Sequence, residues 1–432
     1  MKEVPDAMSP DCISRQRAPL SFSVSVINGY LTRKQHLLPE ARLADVVQVC
    51  RDLVALHATG ATVPYLSLWA RVAGFHREML EEALYQQREL ARVLAMRVTL
   101  HIVPGDQVPF FLRACQATVQ KRTPPRFRGA SLLTEAGVCP AHQADTLWEK
   151  LKRQIVDQVT RSGPATLAEI SQAVPELRAT MQHDVGKTYE GSFSIGSRLL
   201  SEMCAQATLI RARPRGSWRS NLYEYAALAD WLPSADPGPL DPQQARTWLV
   251  RRYLSAFGPV LFEDILWWTG FTKRDIQVAL EALEGEIIKV RIEGMDGTYL
   301  MLAEDALQLT NFSRPQTPTV NFLPGLDPLI MGYRDRRRFL AARYEVHILG
   351  RAGNTAPTVW INGQVMGAWG QRPDGSLIYR LFEPVNQEVH SLLTDEAERL
   401  EAFLAGEYLA PRYGTPFTRS LEQANVRLAK ET

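Results

Sequence analysis

The feature that most constrains this chain is an internal repeat. Arg161 to Ile170 reads RSGPATLAEI and Ala256 to Ile265 reads AFGPVLFEDI, so Gly-Pro followed by an acidic residue and Ile recurs at a constant offset of 95 residues. Each copy follows a helical stretch, Leu147 to Thr160 and Gln244 to Ala256, and precedes a further helix and a β-rich segment. Self-similarity at fixed spacing implies that a structural unit is used more than once. At 432 residues the chain is also too long for a single core, and two to four domains are expected.

A third unit of the same order lies before these two. Ala41 to Leu56 carries Leu43, Val46, Val47, Cys50, Leu53, Val54 and Leu56 at three- to four-residue spacing, the signature of a helix with one buried face. Gly60 reads as its stop and Pro64 as the start of a second helix to about Val72. A third helix is expected over Arg77 to Glu89. The run Ala91 to Pro104, with a turn at Met96 and Arg97, reads as a β-hairpin. Three helices followed by a hairpin is the order of a winged helix-turn-helix. Between the first two helices, the stretch LHATGATVPYLSLW places His57, Thr59 and Thr62 at a helix-to-helix corner, where side chains can face a cleft. The alternative is a packed histidine with a threonine cap.

In the middle unit the later helix is expected over Ile195 to Gln206, followed by a hairpin that carries Arg211, Arg213, Arg215 and Arg219 beside Trp218. Arginines that alternate along one face of a hairpin can contact successive phosphates or enter a minor groove. In the last unit Phe262 to Thr269 forms the middle helix, with Trp267 and Trp268 in the core. Thr272 to Leu283 takes the recognition position, with Thr272 as cap and Lys273 and Arg274 in the first turn. Glu286 to Leu302 completes the hairpin. The run Lys121 to Arg128 reads as a basic connector.

After about Asn311 the prolines at 315, 318 and 324 mark a boundary. Strands are expected at Tyr344 to Leu349, Thr358 to Ile361, Gln364 to Trp369 and Leu377 to Phe382, with Asn362-Gly363 as a two-residue turn and a closing helix from Thr394 to Leu404. The entrance to this module, LPGLDPLIMGYRDRRRF, presents Arg334, Arg336 and Arg337 as a second basic element. The expected architecture is therefore α+β. A tail over residues 1–24 leads into three tandem winged helix-turn-helix units at 25–135, 140–236 and 240–312, and a C-terminal β-rich, barrel-like module occupies 313–432.

Composition narrows the chemistry. Net charge is only +2, so any grip on nucleic acid must come from local clusters. Five scattered cysteines without Cys-x-x-Cys spacing argue for reduced thiols and against a zinc ribbon. There is no signal-peptide pattern at the N-terminus and no apolar run near the roughly 18 residues of a membrane helix, so a cytoplasmic protein is expected. No phosphate-binding glycine loop, paired metal-type histidines or G-x-S-x-G elbow is present. The compact candidate for chemistry is the His57 and Thr59 corner.

The stretch from Leu53 to Pro104, above all LHAT, YLSLWARVAGF and MRVTLHIVP, resembles the AlkZ/YcaQ-like family of bacterial DNA glycosylases, and GPVLFEDI and LDPLIMGYRDR extend the likeness over residues 25–405. The resemblance implies three tandem winged helices on double-stranded DNA and excision of alkylated bases, including bulky N7-guanine adducts and crosslinks, with no cofactor and no metal. Repair of genotoxin damage, as in self-resistance to an antibiotic, is the implied setting. The family orients its hydrolytic water with a Gln-x-Gln pair, sometimes with His first, and the matching positions here are His57 and Thr59. Threonine is shorter than glutamine and has no amide. Basic hairpins bearing Arg97, or Arg211 to Arg219, would hold the duplex. The other reading is a non-catalytic DNA-binding protein, either a lesion shield or a regulator, and a monomer is expected in either case.

Overall fold

The Gly-Pro repeat has a structural cause that repeats with it. In the computed structural model, Gly163-Pro164 leads into a two-residue strand, Ala165–Thr166, and Gly258-Pro259 leads to Val260, which bridges to Leu300. The acidic residue of each copy then becomes the third residue of the next helix and turns back to its start. Glu169 accepts from the Thr166 backbone N–H at 2.7 Å, and Asp264 accepts from that of Leu261 at 3.0 Å. Satisfying an otherwise orphan N–H in this way fixes where the helix begins. The structure describes residues 19–122, 128–183, 191–350 and 353–409, together with Thr415, Phe417, Thr418 and Ser420. Most of the tail expected over 1–24 and part of the basic connector therefore lie outside the described residues.

All three units share one strand arrangement. In the first, Leu56–His57 pairs with Leu100–Pro104, which pairs in turn with Leu90–Leu94. In the second the order is Ala165–Thr166, Tyr223–Ala227, Leu209–Pro214. In the third, Val260 bridges to Tyr299–Leu302, which pairs with Ile287–Ile292. A short strand before the middle helix thus always lies against the second arm of the hairpin. The third sheet gains one strand that the sequence reading placed in the tail. Leu20–Phe22 pairs in parallel with Val290–Ile292, a run too short to carry a recognisable period.

The first unit departs most from expectation. The helix expected over Ala41 to Leu56 is confined to Val46–Asp52, started by Asp45, whose carboxylate accepts from Val47 N and Gln48 N at 2.8 and 3.0 Å. It stops because Val54, a β-branched residue, takes a φ of 67°, which no helix can continue. The chain leaves that kink extended, so His57 belongs to a strand and not to a helix corner. The next helix spans Val63–Trp69, and the third, Arg77–Glu81, widens into a π turn over Glu82–Gln86.

The expected barrel-like module is instead an open antiparallel sheet of four strands in sequence order: Val320–Leu323, Thr358–Ile361, Gln364–Gln371 and Leu377–Leu381. Helix Gln387–Leu404 packs against the first of these strands. Asn362 and Gly363 both adopt positive φ, 51° and 76°, as a tight two-residue turn requires. The strand expected at Tyr344 to Leu349 is a 3₁₀ turn, Ala342–Tyr344, and one helical turn, Glu345–Ile348. Its apolar residues do not share a buried face, since Val346 is 71% exposed. Among the described residues no helix is long and apolar enough to cross a membrane.

One hydrophobic core runs through the first unit, the third unit and the C-terminal sheet, while the helices of the second unit enclose a core of their own around Leu151, Ile155, Leu199 and Leu200. The second hairpin joins the larger core through Ile210, Ala212 and Trp218. At the centre of the larger core lies a fully buried ion pair, in which Arg71 of the first unit donates to both oxygens of Asp327 at 2.7 and 2.8 Å. Arg71 also reaches the Ser67 carbonyl, and Asp327 caps the helix Pro328–Met331 by accepting from Leu329 N at 2.9 Å. Removing one member strands the other as an uncompensated buried charge. Asp327→Ala or Arg71→Ala is expected to cost about 3–5 kcal/mol in denaturant unfolding, whereas the joint replacement Arg71→Met with Asp327→Leu recovers most of the loss.

Candidate active site

The edge strand Leu56–His57 exists because the kink at Val54 leaves the chain extended beside the first hairpin, where His57 pairs directly with His101. The two imidazoles lie with ring centroids 5.2 Å apart and planes inclined by 61°. The hairpin turn is tight, with Arg97 and Val98 both at positive φ, 55° and 60°. That turn carries the Arg97 guanidinium onto the indole of Trp267 at 4.0 Å, and Arg336 approaches the same indole at 5.1 Å. Trp267, expected in the core, is partly exposed between two cations.

His57, His101, Arg97 and Thr99 line a small cavity whose remaining walls include Phe257 and Trp268 of the third unit and Pro328 and Met331 from the entrance of the C-terminal module. Its volume is about 30 Å³, room for about one water molecule. Among the described residues, no acidic side chain lines it. Asp52 is turned away, bound to His36 at 2.9 Å and to Gln48 at 2.7 Å; Asp327 is held by Arg71, and Asp335 by Arg337.

Burial sets the protonation of both histidines. His57 is held well below the usual imidazole range, first by desolvation and then by the neighbouring His101 and Arg97. His101 is pushed down to about 4 by burial, against the opposing pull of the Thr99 carbonyl. Both are therefore neutral near pH 7. His101 Nδ1 lies 3.1 Å from Thr99 O, so the proton sits on Nδ1 and Nε2 is the acceptor. His57 Nδ1 is buried without a hydrogen-bond partner among the described residues.

Thr59 falls in the bend after the edge strand and does not line this cavity. The following residues, Gly60 to Thr62, open onto a different groove of about 410 Å³ shared with Ser217, Arg219, Ser220 and Asn221 of the second hairpin. The structure therefore separates the two positions that the sequence reading paired.

The arginines of the second hairpin are engaged within the protein. Arg211 donates to Ser201, Arg213 pairs with Glu81 at 2.6 Å, Arg215 pairs with Glu169 and Glu224, and Arg219 pairs with Glu407 and reaches the Tyr408 carbonyl. Trp218 between them is buried against Tyr65 and Phe403, with Arg77 over its ring. Arg336, expected on the surface, is 5% exposed and donates to the Ile330 and Gly353 carbonyls. Arg337 is exposed and bound to Asp335. Lys273, Arg274 and Arg334 are exposed and form no ion pair with a described residue. Asp264, the acidic residue of the second repeat copy, accepts from the backbone N–H groups of Arg334 and Asp335 at 2.8 and 2.9 Å and so anchors the loop that presents Arg334.

The depressed imidazoles have a consequence for stability. The unfolded chain takes up protons below about pH 6.5, and folded His101 does not until about 4, so stability falls as pH drops through that window. His101 alone accounts for on the order of 3 kcal/mol, and His57 acts in the same direction. The melting midpoint of His101→Gln is expected to fall less than that of the wild type between these pH values.

The family described as DNA glycosylase AlkZ-like matches residues 50–403. Among solved structures, the DNA glycosylase AlkZ of Streptomyces sahachiroi superposes with a TM-score of 0.67 at 19% identity, covering 90% of this chain and 99% of that one. At that identity the likeness concerns the fold. No curated protein sequence matches.

Proposed function

Because this chain belongs to the AlkZ-like DNA glycosylase family and is a DNA glycosylase, we propose that it acts on alkylated purines, N7-alkylguanine above all, and that the water-sized cavity beside His57 is where hydrolysis begins. The observation that carries this reading is the cavity itself, with room for about one water, lined by two imidazoles and no carboxylate among the described residues. A guanine alkylated at N7 is already cationic and leaves without a strong general acid. The site then has only to hold a water against the sugar carbon as the glycosidic bond breaks, and neutral imidazole can accept the proton that this water loses. Thr59, in the adjoining bend and outside the cavity, assists only indirectly, through the strand that carries His57.

The three units at 25–135, 140–236 and 240–312 are read as winged helices, with the short edge strand and hairpin of each as its wing. Lys273 and Arg274, in the first turn of Lys273–Ala282, Arg334 on its anchored loop, and Arg97 at the hairpin turn are the cations offered to the phosphates. Of the second-hairpin arginines, Arg213 and Arg219 pair with other units and Arg211 and Arg215 bind within their own, so all four meet DNA only by exchanging partners. The protein acts as a monomer in the repair of genotoxin damage, and bulky natural-product adducts and crosslinks are its further substrates.

Two measurements test this reading. Single-turnover release of base from a duplex with one N7-methylguanine is expected for the wild type, and His57→Ala slows it by about 10²- to 10⁴-fold. Lesion binding without release, there and on a bulky adduct, would instead identify a shield. Second, Lys273→Ala with Arg274→Ala is expected to weaken DNA binding for every sequence alike. It is also expected to reduce the slope of log affinity against log salt by about 1 for each phosphate that is no longer neutralised.

A further inference from the structure

Resting on the reading above, we propose that His101 is a second catalytic residue, one that holds and deprotonates the attacking water together with His57. The cavity brings these two imidazoles together, and it does not include Thr59. His101 is 7% exposed, and its Nδ1 is committed to the Thr99 carbonyl, which leaves Nε2 as an acceptor directed by its own backbone. His57 Nδ1 is a second buried ring nitrogen without a hydrogen-bond partner among the described residues, and it is an acceptor in the tautomer protonated at Nε2. One water that donates a hydrogen to each would satisfy both nitrogens and leave its lone pairs for the sugar.

The fold itself does not require a histidine at this place. The edge strand lies against the second arm of the hairpin in all three units, where the third sets Val260 against Leu300 and the second sets Ala165 and Thr166 against Tyr225 and Glu224. The first unit alone sets His57 against His101. Leaving an imidazole nitrogen buried without a partner is costly, so the unpartnered Nδ1 of His57, beside His101 on a cavity of one water's size, makes sense as a water site and not as packing.

The step balances without a co-reactant. The water oxygen forms a bond to C1′ while the C1′–N9 bond breaks, and the electron pair of that breaking bond neutralises the cationic purine. One water proton passes to His101 Nε2, and the imidazolium returns it to solvent. The products are the free alkylated base and an abasic sugar bearing the new hydroxyl.

The test uses the full chain in excess over a duplex bearing one N7-methylguanine, with base release, DNA affinity and melting midpoint measured for wild type, His57→Ala, His101→Ala and His101→Gln. His101→Ala is expected to slow release by about 10²- to 10⁴-fold with DNA affinity unchanged. His101→Gln, whose amide oxygen can hold the water but cannot take its proton, is expected to recover part of that loss. Release at the wild-type rate by His101→Ala, while His57→Ala is inactive, overturns the role of His101 and leaves the glycosylase site at His57 standing. A loss in His101→Ala that comes with weakened DNA binding and that His101→Gln does not relieve also overturns it, as the mark of a structural residue. No release by the wild type from this lesion or a bulkier one removes the alkylpurine reading, and the proposal with it.

Discussion

The buried pair of Arg71 and Asp327 is the interaction on which the arrangement of this molecule depends. Its partners lie 256 residues apart, and neither is exposed. A charge so far from water is tolerated only when its counter-charge is in place, so the first unit and the C-terminal module must meet in one orientation or leave both groups stranded. The same carboxylate caps the short helix Pro328–Met331, two of whose residues wall the cavity at His57. One electrostatic requirement thereby sets both the docking of two regions and the shape of the space between them. Asp264 plays a parallel part in the third unit, where one carboxylate begins a helix and anchors the loop at Arg334 and Asp335.

The second unit is bound to the rest in a different way. Its helices keep a separate core, and its hairpin inserts Trp218 among Tyr65, Phe403 and Arg77. The arginines around that indole meet Glu81, Glu169, Glu224 and Glu407. Alternating arginines on a hairpin look the same in sequence whether they face phosphates or carboxylates of the protein itself. Only the folded chain shows the carboxylates. Partly exposed pairs of this kind contribute little individually, and the buried aromatic cluster supplies the larger share of the attachment.

What was legible in the sequence follows from what is local. The helix Phe262–Thr269, the Thr272 cap, the Asn362-Gly363 turn and the three hairpins are all written in neighbouring residues: caps, turn formers and periodic apolar positions. The Gly-Pro repeat marked real equivalence between the second and third units. The errors arose where a long-range interaction overrode local pattern. The helical period of Ala41 to Leu56 gave no sign that Val54 would adopt positive φ, so the edge strand that carries His57 was not foreseen. His101 sat in plain view on an expected strand, yet its opposition to His57 depends on a pairing register that a two-residue strand cannot announce. Arg336 belonged to a run of three arginines, and a run of like residues carries no period to announce the burial of its first and last members, Arg336 and Arg338, around an exposed Arg337.

The walls of the cavity come from residues 55–57, 96–101, 257–268 and 328–331, which reach from the first unit to the entrance of the last sheet. A chain emerging from the ribosome would complete the His57 hairpin early and leave it open until some two hundred further residues had been made. The enclosure closes only when Asp327 arrives to meet Arg71. The space beside His57 thus gains its last walls only after residue 331 has been made, and a partial product can contain both imidazoles without those walls.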